Sequence, residues 1–118
     1  MSAPPDVRLD RLASPGTGVV LLELAGELDL AVGERFHALM AEIAAEAPRL
    51  VVADMTEVGF LDSTMLRELL RAHRAFDEAG GRLVITAAQL PVRRLLELTG
   101  TDEVFTLAST RDEALGTA

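Results

Sequence analysis

The chain has 118 residues, a formal net charge of −8, a hydrophobic fraction of 49% and no cysteine. That length supports one hydrophobic core and not two, and the missing thiols exclude disulfides, thiolate metal sites and cysteine nucleophiles. The acidic surplus, with four Phe and neither Trp nor Tyr, excludes the basic, aromatic-studded surfaces that hold phosphate backbones and bases, so no nucleic acid partner is expected.

No apolar run approaches the roughly 20 residues that span a bilayer. The opening MSAPPDVRLD has no basic stretch followed by an apolar core, so a cytoplasmic, unexported protein without membrane insertion is expected. The reading is of a single domain over residues 1–118, with its core from Val7 to Leu115.

Val7 to Leu12 alternates apolar and charged side chains, Ser14 to Gly18 is a turn-forming SPGTG, and Val19 to Ala25 is mostly β-branched or apolar. This pattern predicts an antiparallel hairpin. Phe36, Leu39, Met40, Ile43 and Ala47 recur at helical spacing up to Pro48, predicting a helix over Ala31 to Ala47. Leu50 to Ala53 reads as a strand buried on both faces, with Asp54 to Gly59 as a loop leaving its end. A second helix follows, with Leu66, Leu69, Leu70 and His73 on its apolar side and Arg67, Arg71 and Arg74 on another stripe, until Gly80-Gly81 stops it. Leu83 to Ile85 is the next strand, and Gln89 to Thr99 is a helix with Pro91 in its first turn and Gly100 after its end. Val104 to Leu107 and Thr110 to Leu115 predict a last short strand and helix. Alternation of strand and helix after the hairpin predicts an α/β fold with a small mixed, mostly parallel sheet.

In such sheets, sites gather beyond the carboxyl ends of the strands, where loops enter helix N-termini. The triplet Asp62-Ser63-Thr64 lies there. An Asp or Ser at a helix N-terminus is stabilised by capping alone, so Ser63 is a cap, a nucleophile or a modified residue. A nucleophile needs a base and a group to orient it. His37 and His73 are the only histidines; both fall within helices, and His73 lies on or beside the apolar stripe, where a hydrogen-bonded structural role is expected. No Gly-x-Ser-x-Gly turn surrounds Ser63. There is no phosphate-binding Gly-x-x-x-x-Gly-Lys-Ser/Thr loop, and although carboxylates are plentiful, no ligand-like helical spacing such as His-Glu-x-x-His is found. No catalytic residue, metal or cofactor is therefore expected.

GELDL at Gly26 to Leu30, a helix, LVVADMTEVGFLDST at Leu50 to Thr64, AGGRLVI at Ala79 to Ile85 and PVRRLLELTGTDEVF at Pro91 to Phe105 follow one another along the chain. In that order they resemble the bacterial anti-sigma factor antagonists, single-domain members of the STAS family. The resemblance implies a STAS fold, with about four helices largely on one face of the sheet. It also implies a partner switch: the unmodified protein binds an anti-sigma factor that is itself a serine kinase, and so frees a sigma factor. Phosphorylation ends the binding and a serine phosphatase restores it. The modified serine carries over to Ser63, flanked by Asp62 and Thr64, and Glu27 and Asp29 match residues beside the switch and its docking surface. A monomer or weak dimer is expected.

The family usually places glycines where this chain has Met65 and Arg67. Both are expected to protrude, altering kinase choice or slowing or abolishing phosphorylation; Arg67 is alternatively a selector of a distinct partner. The resemblance also admits a scaffold or adaptor subunit of a transporter or signalling complex, without a phosphoswitch.

Overall fold

The computed structural model describes residues 7–116. Residues 1–6, part of the opening read above for an export leader, and residues 117–118, the far end of the expected domain, lie outside the described residues. Strands β1 (Arg8–Arg11), β2 (Val19–Leu28), β3 (Leu50–Leu61), β4 (Leu83–Thr86) and β5 (Thr106–Ala108) are joined by helices α1 (Gly33–Ala45), α2 (Ser63–Glu78) and α3 (Leu90–Thr99), and α4 (Arg111–Leu115) follows the last strand. The strands form one sheet in the order β1-β2-β3-β4-β5. β1 is antiparallel to β2 and every other pair is parallel, the mixed sheet expected from the opening hairpin.

Alternation along the strands sorts the core into two layers. Val20, Leu22, Leu24, Val51, Ala53, Leu83 and Ile85 face α1, α2 and α3, where they meet Phe36, Met40, Leu69, Phe76 and Leu96. Val19, Leu21, Leu50, Val52 and Val84 face the other way and meet Ala114 of α4. Three helices thus share one face, and the larger core fixes the end of the sheet from which α2 departs. Gly81, beyond α2, passes so close to Pro48 that an added Cβ would stand 2.0 Å from its carbonyl oxygen; only glycine fits there.

Several boundaries differ from the sequence reading. β2 runs on to Leu28, and β3 spans Leu50–Leu61 instead of ending at Ala53. In the pairing of β2 with β3, Glu23 faces Asp54 but Ala25 faces Glu57, and Gly26 faces Val58 but Glu27 faces Phe60. Each shift inserts an extra residue into β3, as a bulge does. The buried residues Met55, Val58 and Leu61 are therefore three apart, not two, and alternation fails as a signal. Gly26, with φ 94°, takes the left-handed conformation at the second shift.

A 3-10 turn, Leu30–Val32, precedes α1, so the helix begins at Gly33, not Ala31. The last strand is Thr106–Ala108, because a 3-10 turn at Thr101–Glu103 consumes the preceding segment: Val104 N and Phe105 N both donate to Thr101 O, at 3.0 Å each. His73 was expected to be hydrogen-bonded. Its Nδ1 is instead buried without a hydrogen-bonding partner among the described residues, and the ring packs edge-on against Phe105 with centroids 5.8 Å apart.

α4 is held by charge as well as by Ala114. Arg111 donates through Nε to Asp54 and through a terminal nitrogen to Glu23, both at 2.5 Å. Burial acts to raise the Asp54 pKa. The Thr56 hydroxyl and amide and the Arg111 guanidinium outweigh it, holding the carboxyl below its ordinary value. A depressed folded-state pKa adds stability above the unfolded value that is lost as pH falls through the folded one. Arg111→Met is therefore expected to cost about 1 kcal/mol at pH 7. In urea melts at successive pH values, that difference shrinks as the pH drops below about 4, the ordinary carboxylate range.

Candidate functional site

Asp62 joins β3 to α2. Its backbone is extended, with φ −95° and ψ 178°, and both carboxylate oxygens are engaged. Oδ1 accepts from Met65 N at 3.0 Å, the N-cap bond of α2, and Oδ2 accepts from Leu30 N at 2.9 Å. Its own N–H donates to Leu28 O at 3.2 Å, and its carbonyl accepts from Leu66 N at 3.0 Å. One residue thus closes the helix, pins the loop after β2 and aligns two strand ends. Asp29 caps the neighbouring 3-10 turn, with Oδ1 accepting from Ala31 N at 3.0 Å.

Ser63 follows as the first residue of α2, with its side chain exposed. Neither its hydroxyl nor the N–H groups of Ser63 and Thr64 meet a hydrogen-bonding partner among the described residues. This is the unpaired, electropositive end of a 16-residue helix, suited to an anion attached there. No base is hydrogen-bonded to the hydroxyl: His37 Nδ1 pairs with Glu68 at 2.9 Å and His73 is packed on Phe105.

Asp62, Ser63, Thr64 and Asp29 are brought together at one end of the sheet, and Glu27, exposed on β2, lies opposite Phe60 in the adjoining pair. Thr64 is half-buried and turned toward α1; its Cγ2 lies 3.5 Å from where a Cβ on Gly33 would stand. Arg67 is exposed, as expected. Met65 is not: it is fully buried. Met65, Leu69, Ala72 and Phe76 form a single buried stripe at spacings of four, three and four, so the apolar face begins one residue before the stripe read from Leu66. The Met65 side chain therefore belongs to the core and neither crowds Ser63 nor presents itself to a partner.

Exposed apolar side chains on both sides of Ser63 were missed. Leu30 is 72% exposed beside a recess of about 490 Å³ lined also by Gly33, His37, Thr64, Glu68 and Arg71. Phe60, Leu90 and Leu98, 45%, 48% and 87% exposed, border a second recess with Arg94. Leu30 is turned outward because it opens the 3-10 turn, and Phe60 because β3 is bulged; neither departure has a periodic signature in sequence. Among the described residues, no helix is long and apolar enough to cross a membrane, and no group of three or more His, Asp or Glu is placed to hold a metal.

The STAS domain model matches residues 13–114. The anti-sigma-F factor antagonist RsfB of Mycobacterium tuberculosis is 30% identical over 115 residues, covering 98% of this chain and 92% of that protein. A crystal structure of an anti-sigma factor antagonist from Mycobacterium paratuberculosis superposes with a TM-score of 0.85 at 27% identity, covering 99% of this chain and 97% of the other. SpoIIAA in its unphosphorylated form has a TM-score of 0.77 at 22% identity, over 93% of each chain, a likeness of fold. The chain belongs to the STAS domain family, whose anti-sigma factor antagonists are regulatory proteins and not enzymes.

Proposed function

We propose that this chain is a cytoplasmic anti-sigma factor antagonist. In its unmodified form it binds an anti-sigma factor serine kinase through the surface around Ser63, releasing a sigma factor. Phosphorylation of Ser63 ends that binding and a serine phosphatase restores it. The observation that carries the reading is Ser63 itself: an exposed hydroxyl at the start of a long helix, near exposed Leu30 and Phe60, beside amides with no acceptor among the described residues. In the modifying step Ser63 Oγ bonds to the γ-phosphorus of ATP, the bond to ADP breaks, and the hydroxyl proton leaves.

The modification adds about −1.5 to −2 charges and three acceptor oxygens. The α2 N-terminus favours that charge, so the fold tolerates it. A docked surface does not, because the dianion must lose water next to Asp62, Asp29 and Glu27. Burial of Met65 removes the steric objection to a kinase loop, leaving Arg67 as the protruding departure from the family pattern.

The test is incubation of the full chain with its cognate kinase and ATP. One phosphate is expected on Ser63 by mass spectrometry, and none on Ser63→Ala. An unmodified wild-type chain, or a pull-down that recovers a transporter ATPase in place of a kinase, would overturn the switch in favour of a scaffold.

A further inference from the structure

Arg67 stands four residues after Ser63 on the same face of α2, exposed and without a hydrogen bond or ion pair among the described residues. The helix positions that could supply an acid do not: three and four residues back are Thr64 and Ser63, and three and four ahead are Leu70 and Arg71. Glu68, the acid next in sequence, is occupied on both oxygens, by His37 Nδ1 at 2.9 Å and by Arg71 at 3.3 Å. Asp62 and Asp29 are committed to backbone amides. Arg67 therefore lacks an acidic partner, and the neighbour four residues ahead carries its own sign of charge.

We infer that Arg67 is an internal clamp for phosphorylated Ser63, pairing with the phosphate across one helical turn while the Ser63 and Thr64 amides hold it from the helix end. The inference rests on the reading of Ser63 as the modified residue and deepens it by naming what holds the phosphate. Helical side chains lean toward the N-terminus, which carries the Arg67 guanidinium back over Ser63. An acid N-terminal to a base at this spacing is the favourable order. The guanidinium fork matches two phosphate oxygens, as an ammonium does not. The clamp also reinforces the switch. It stabilises the free phosphorylated chain, so docking must break the pair or bury it, and it shields the phosphate from hydrolysis.

The test needs no kinase. Phosphoserine is installed at position 63 of the full chain during translation, and its phosphorus resonance is titrated at about 0.1 M salt, where the screening length is about 10 Å. With Arg67 present, the second ionisation is expected about half a unit lower than in Arg67→Gln, a roughly threefold change in the constant. Arg67→Lys is expected to recover part of the shift. Arg74→Gln is expected to leave the titration at wild type, since Arg74 lies eleven residues, about 16 Å, along the helix and beyond the screening length. Removal of the phosphate by a non-specific phosphatase is expected to be several-fold faster in Arg67→Gln. Coincident titrations of wild type and Arg67→Gln would overturn the clamp, whatever the partner does. If instead Arg67 shifts the titration but the phosphorylated chain still binds the kinase, the clamp stands and the switch fails.

Discussion

Ser63→Asp is expected to lower affinity for the proposed anti-sigma factor kinase by about a hundredfold, close to 3 kcal/mol, whereas Ser63→Ala is expected to leave it within about threefold. Calorimetry with the purified pair measures both. The asymmetry follows from where the charge sits in each state. In the free chain, a carboxylate at the first position of α2 faces unpaired amides and the positive end of the helix dipole, which stabilises the fold by about 0.3–1 kcal/mol. In the complex, the same carboxylate must give up water against a surface already lined by Asp62, Asp29 and Glu27. The Ala variant removes only a hydroxyl that bonds to nothing among the described residues, so it subtracts neither a contact nor a cap. Equal affinities of the Asp and Ala variants would place Ser63 outside the contact and remove the basis of the switch.

The strand and helix order was legible because most elements keep one period throughout. β4 is four buried residues, α3 is bracketed by Pro91 and Gly100, and the opening hairpin is two β-prone runs paired in antiparallel across a turn-forming segment. What escaped was the end of the sheet that carries the site. There β3 is bulged twice against β2, so neither a period of two nor of 3.6 describes Asp54 to Leu61, and a paired strand reads as a loop. The same irregularity turns Phe60 outward, and the 3-10 turn does so for Leu30. Met65 was misplaced because the apolar stripe was taken from Leu66, whereas the buried side repeats through Met65, Leu69, Ala72 and Phe76. Ser63 and Asp62 were legible because capping chemistry depends on neighbours in sequence. The second bond of Asp62, to Leu30, was not, since its partner lies 32 residues away.

That long-range bond makes Asp62 the residue whose loss most disturbs the site. Asp62→Ala is expected to destabilise the chain by about 2–3 kcal/mol, more than a simple cap is worth, because two charge-assisted bonds disappear together. Asp62→Asn separates them. A carboxamide has one acceptor oxygen, so it can satisfy Met65 N or Leu30 N but not both, and its NH₂ then faces the other N–H. The Asn variant is therefore expected to lose about half as much in urea melts, near 1–1.5 kcal/mol. Hydrogen exchange assigns the missing bond: the amide of Leu30 or of Met65, whichever the carboxamide abandons, loses protection while the other keeps it, and in the Ala variant both lose it. If Asn proved as stable as Asp, whichever bond the carboxamide abandons would contribute nothing. If Asn proved as damaging as Ala, the two oxygens would act as one unit. A loop released at Leu30 also costs partner affinity, because the most exposed apolar contact on that side of Ser63 must then be ordered on docking.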